Sequence, residues 1–91
     1  MSVVYKLVGY SRRTEYQLVR YDIPEKYVPL AKTIAGIDPN DPTIIGEWPL
    51  KPAQAKHIGE LMGKTINVRD VEFFLAPYKR NTQHAPPRVH A

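Results

Sequence analysis

The sequence predicts an α+β fold: a single two-layer domain whose four-stranded sheet carries two short helices on one face. Three observations predict it. Residues 3–23 hold two runs of β-formers across a short polar link. Two later stretches space their apolar residues at helical intervals, each followed by glycine. A proline-rich turn and a closing apolar run, "VEFFLAPY", supply two more strands. The order read from the chain is ββαβαβ, beginning with a hairpin.

The first run, Val3 to Tyr10, alternates loosely through Val3, Val4, Tyr5, Leu7, Val8 and Tyr10. The second, Tyr16 to Ile23, does so through Tyr16, Leu18, Val19, Tyr21 and Ile23. Ser11-Arg12-Arg13-Thr14 between them lacks the Asn-Gly or Asp-Gly of the tightest hairpins, so the turn type stays open. Arg12 and Arg13 can grip phosphate or an acidic partner; the plainer reading is a solvated loop tip. Four tyrosines (Tyr5, Tyr10, Tyr16 and Tyr21) lie on this hairpin. Such rings stack bases in single-stranded RNA readers, but the aromatic-glycine pattern of those strands is missing. They can equally form a half-buried face with the hydroxyls at its rim, and a protein-contact surface suits them better than base stacking.

Pro24 closes the second run. Val28, Ala31, Ile34 and Ala35 then follow at helical spacing, and Gly36 suits the C-terminal cap. Pro29 costs about 3 kcal/mol inside a helix, so Glu25 to Val28 is expected to be a loose first turn. The regular helix should run from Pro29 to Ala35. Asp38-Pro39-Asn40-Asp41-Pro42 reads as a turn. A calcium loop fails on spacing, because Pro42 falls at the fifth position and Thr43 where glycine is needed. Thr43 to Trp48 is expected to form a short strand that Pro49 ends. Trp48 has two readings: core filler under the second helix, or an interface anchor at the sheet edge.

Pro52 suits the first turn of the second helix, whose stripe is Ala55, Ile58, Leu61 and Met62; Gly63 ends it. His57 lies off that stripe as a solvated side chain. The final strand is expected over Val71 to Ala76. The adjacent Phe73 and Phe74 imply burial on both faces, as in a central strand or a covered edge.

Residues 1–78 thus make one domain, and residues 79–91 a basic, proline-containing flexible tail. Lys79, Arg80 and Arg88 give that tail +3 of the net +4, whereas residues 1–78 carry ten basic and nine acidic side chains. A basic tail on a near-neutral body is a weak footprint for nucleic acid. At 91 residues the core is modest, and a partner or self-association as a homodimer would add stability. The absence of cysteine excludes disulfides and thiolate chemistry and fits a reducing cytoplasm. Neither a signal peptide nor an apolar run of roughly 18 residues is expected, so no membrane is implied.

Catalysis is not expected. Ser2 and Ser11 lie in no nucleophile motif, the glycines form no phosphate loop and the carboxylates are scattered. No cofactor is implied, and His57, His84 and His90 lack the company of a metal site. Small ribosome-dependent RNA-cleaving toxins share the size and basicity, but their elements come in a different order.

Taken together, "YKLVGYSRRTEYQLVRYDIP", "DPNDPTIIGEWPLKPAQAKHI" and "VEFFLAPY" resemble a family of small uncharacterised bacterial domains, over Tyr5 to Tyr78. These are similar in kind to the immunity partners of polymorphic or contact-dependent toxins. The resemblance implies a cytoplasmic antitoxin that binds and neutralises a cognate toxin, and it carries over no site residue. Immunity proteins that cover basic nuclease sites are more often acidic; a basic balance points to a toxin with an acidic face. Aromatic and arginine anchors would make the contact: Tyr5, Arg12, Arg13, Tyr16, Tyr21 and Trp48. The alternative is a small nucleic-acid-binding protein using the hairpin tip and the basic tail.

Overall fold

The hairpin forms as expected. In a computed structural model that describes residues 3–40 and 46–79, β1 spans Val3–Ser11 and β2 spans Gln17–Asp22. Ser11 closes the tip: its hydroxyl accepts the N–H groups of Arg13 and Thr14, and its own N–H donates to the Tyr16 carbonyl at 2.9 Å. Glu15 takes the left-handed conformation the turn needs. Tyr16 therefore ends the turn rather than opening the strand. The pairing slips by one residue between Gly9 and Tyr10, which sets a bulge at Gln17–Leu18.

A single 3-10 turn, Glu25–Tyr27, leads into α1, Val28–Ile34. Pro29 falls in the helix's first turn, where its missing donor costs nothing. Helix α2 is Pro52–Leu61. Its buried side is Ala55, Ile58 and Gly59. Gly59 was not part of the expected stripe; a Cβ there would strike Ile66 in the following loop. Met62 packs partly against the core. Leu61, which the stripe included, is only half-buried.

The strand expected over Thr43 to Trp48 is corrected. Strand β3 is Trp48–Leu50, so Pro49 lies inside it. Residues 41–45 fall outside the described residues. Strand β4 runs Val71–Lys79, three residues beyond the expected end, because Val4 and Val3 pair with Tyr78 and Lys79. The sheet order is β2-β1-β4-β3, all antiparallel, and β4 is central as its paired phenylalanines imply.

The register explains both strand prolines. The Tyr5 carbonyl accepts the Ile23 N–H at 2.8 Å, so the backbone groups of Tyr5, Leu7 and Gly9 face β2. Those of Lys6, Val8 and Tyr10 then face β4. Their partners Ala76, Phe74 and Glu72 face back, leaving Phe73, Leu75 and Pro77 turned towards β3. Strand β3 pairs only with Phe73, Phe74 and Leu75, so nothing opposes the missing donor of Pro77. Pro49 stands opposite Phe74 and faces outward at the sheet edge.

Alternation divides the sheet into two faces. One carries Tyr5, Leu7, Ile23, Val71, Phe73 and Leu75, which form the core with Ala31, Ala35, Ala55 and Ile58 of the helices. Both helices lie on this face. Gly9 is required here, since a Cβ would come within 2.8 Å of Phe73 and Val71. The C-terminus of α1 is tied down from two directions. Trp48 Nε1–H donates to the Ala35 carbonyl at 3.0 Å, and Gln54 Nε2–H donates to the Ile34 carbonyl at 3.0 Å. Trp48 thus sits at the sheet edge, 41% exposed, instead of filling the core under α2.

Candidate functional site

Among the described residues, no helix lies on the other face. Its rows are Val4 and Tyr78; Asp22, Lys6 and Ala76; Arg20, Val8, Phe74 and Pro49; and Tyr10 with Glu72. Long side chains lie across it. Lys6 pairs with Asp22 at 2.9 Å, and the Lys6 ammonium and the Arg20 guanidinium both stand over the Tyr78 ring, at 5.1 and 5.3 Å from its centroid.

At the hairpin end, this face opens into a depression of about 450 Å³ lined by Tyr10, Ser11, Arg12, Glu15, Glu47, Glu72 and Phe74. The topology brings these together from distant sequence. Glu72 pairs with Tyr10 across β1 and β4, and Arg12 N–H donates to the Asp70 carbonyl at 2.9 Å, holding the tip to the start of β4. Tyr10 OH donates to Glu47 Oε2 at 2.7 Å, and its ring meets Phe74 edge-on. That hydrogen bond raises the Tyr10 pKa above its ordinary value; partial burial and the Glu47 charge add to it, and a hydrogen bond with Gln17 opposes it.

Three carboxylates beside two aromatic rings favour a cationic group. Among the described residues, no three His, Cys, Asp or Glu side chains are arranged to hold a metal ion. Glu15, Glu47 and Glu72 around Arg12 also set a negative field where phosphate binding would need a positive one.

The expected contact residues do not converge on one spot. Arg12 lines the depression. Arg13 is exposed on the tip beside it, and Tyr16 follows with 75% of its surface exposed. Tyr21 lies further along β2, on the helix-bearing face, under the Lys64 ammonium at 4.6 Å. Trp48 is on the opposite edge of the sheet. Tyr5 is a core residue, with the Lys32 ammonium 4.9 Å from its ring centroid, so its ring is no surface anchor. Sequence reasoning missed Tyr10, Glu15, Glu47 and Glu72 as a group. Strand alternation does put Glu47 on the side opposite Trp48, but pairing it with Tyr10 requires the sheet order. His84, His90 and the tail arginines lie outside the described residues.

The fold and this surface define a small α+β domain with an acid-lined recess at the hairpin end of an uncovered sheet face. The chain belongs to a family described as a domain of unknown function, DUF7683, whose model matches residues 4–76. No curated protein and no solved structure matches it. Among the described residues, no helix is long and apolar enough to cross a membrane.

Proposed function

We propose that this chain is a non-catalytic protein-binding module of the immunity or antitoxin kind, acting in a bacterial cytoplasm by covering a cognate toxin. The observation that carries this reading is the acid-lined recess at the hairpin tip, whose lining residues Arg12 and Glu15 are followed in the chain by exposed Arg13 and Tyr16. A recess for a basic side chain, with an exposed aromatic and an arginine on the same tip, has the make-up of an interface centre. It also answers the charge difficulty. The net charge of +4 is an average, and Glu15, Glu47 and Glu72 against Arg12 leave the lining of the recess net acidic, which suits a basic partner group.

The test is co-expression with the product of an adjacent gene that arrests growth on its own. The chain should restore growth and co-purify with that product. Glu47→Lys combined with Glu72→Lys should abolish both while leaving the melting temperature of the free chain within a few degrees. Protection that survives this double reversal would remove the recess from the mechanism. Absence of any complex, together with salt-resistant binding of single-stranded nucleic acid, would replace the reading with the nucleic-acid alternative.

A further inference from the structure

The two edges of the sheet are not equally defended. Strand β3 is three residues long and carries Pro49 with its nitrogen outward, both of which discourage a further strand. Strand β2 is six residues long and has no proline. Its bulge is confined to one end, and Leu18 there is 60% exposed. Because Tyr21 and Val19 turn their backbone groups towards Leu7 and Gly9, the N–H and C=O groups of Arg20 and Asp22 face away from β1.

We propose that β2 is the seam of a twofold homodimer, pairing antiparallel with β2 of a second copy so that Tyr21 lies across the axis from its own symmetry mate. This goes beyond the proposed function and uses a different surface from the hairpin-end recess. In this register Arg20 stands opposite Asp22 of the second copy, and each of these residues exchanges both outward backbone bonds with its opposite number. Charge selects the register. An axis through Arg20 would set two guanidinium groups directly against each other. An axis through Val19 would run the pairing into the bulge at Leu18. Only the axis at Tyr21 matches the outward backbone groups and opposes unlike charges. Asp22 has room for a second cation, since its side chain is 69% exposed even while paired with Lys6. The two Tyr21 rings meet on the helix-bearing face, and the joined sheet runs continuously through both copies.

Sedimentation velocity and light scattering on the full chain over a dilution series test the proposal. The wild-type chain should reach twice its mass of 10.4 kDa at high concentration and dissociate on dilution. Arg20→Asp should weaken the dimer tenfold or more. The double variant Arg20→Asp, Asp22→Arg should recover most of that loss, because the unlike pair is restored with its sign exchanged. Arg20→Pro removes the outward N–H at an edge position that tolerates proline, and with it the guanidinium over Tyr78, so it should fold and remain monomeric even if the charge variants do not fold. A wild-type chain that stays monomeric throughout overturns the proposal. So does a dimer that survives Arg20→Pro, or a folded double variant no tighter than Arg20→Asp.

Discussion

On the helix-bearing face of the sheet, Phe73 is 1% exposed within a cluster that includes Leu7, Leu75, Ala55 and Ile58. On the uncovered face, its chain neighbour Phe74 is half-buried and meets Tyr10 edge-on. Both faces bury apolar groups, but by different means. The first uses a second layer of helices. On the second, Val8 and Ala76 are nearly or fully inaccessible although no helix of the described residues lies above them, and long side chains share their rows. Val8 stands between Arg20 and Phe74 in its row, and Ala76 lies beside Lys6. Side chains that lie flat across a sheet remain mobile at their ends. A face sealed this way depends less on close packing than the helix-bearing face does.

The largest expected effect tests that difference directly. Phe73→Ala should cost about 3–5 kcal/mol, since the helices and strands around it can collapse only in part. A domain this small has about 5–14 kcal/mol of stability in total, so the variant should lose a large share of it. Phe74→Ala should cost about 1–2 kcal/mol, from lost area and the edge-on contact with Tyr10. Urea unfolding of both variants measures the gap. Equal losses would mean that the uncovered face is as firmly built as the core, and the comparison would break.

A smaller effect sharpens the account of the uncovered face. Tyr78→Leu keeps apolar bulk but removes the ring that Lys6 and Arg20 share. It should cost about 0.5–1 kcal/mol, the size of cation–π contacts open to water. The Lys6–Asp22 pair should persist, so adding Asp22→Asn to the variant should lower the melting temperature further. If Tyr78→Leu instead matches wild type in urea, the two cations cover the sheet without help from the ring.

The contrast between the faces was only partly legible in the chain. The hairpin, both helices, the central place of β4 and the two-sided phenylalanines follow from β-rich runs, helical spacing and the position of Pro52. These are local signals, and local chemistry sets those elements. Strand β3 was misplaced because Pro49 was read as a terminator. A proline ends a central strand but sits within an edge strand when its nitrogen faces out, and only the sheet order decides which applies. Gly59 was invisible for a similar reason, since its contact with Ile66 depends on how the loop after α2 returns. The recess was least legible of all. Tyr10, Glu47 and Glu72 are far apart in sequence and meet through the pairing of β1 with β4 and of β4 with β3. Tyr5 was misjudged because its run reads alike on both faces until a register is known.

The smallest expected effect concerns the Tyr10–Glu47 bond, which joins the uncovered face to the segment before β3. Donation to Glu47 favours the neutral phenol, partial burial adds to this, and the folded-state pKa lies above the ordinary tyrosine value. The sign follows from linkage. A group whose pKa is raised on folding contributes its full stabilisation below the unfolded pKa, and loses it as pH rises through the folded value. Tyr10→Phe removes the hydroxyl, and with it the bond to Glu47 and the weaker one with Gln17. At neutral pH it should lower stability by about 1 kcal/mol or less, because the bond is exposed to water. The difference between the two proteins should hold steady up to about pH 9 and shrink above about pH 10, where the phenol of the wild type ionises. Urea midpoints of both proteins across that pH range give the measurement. A difference that stays constant through pH 11 would show that Tyr10 gains nothing from Glu47, leaving the recess held by the edge-on contact with Phe74 instead.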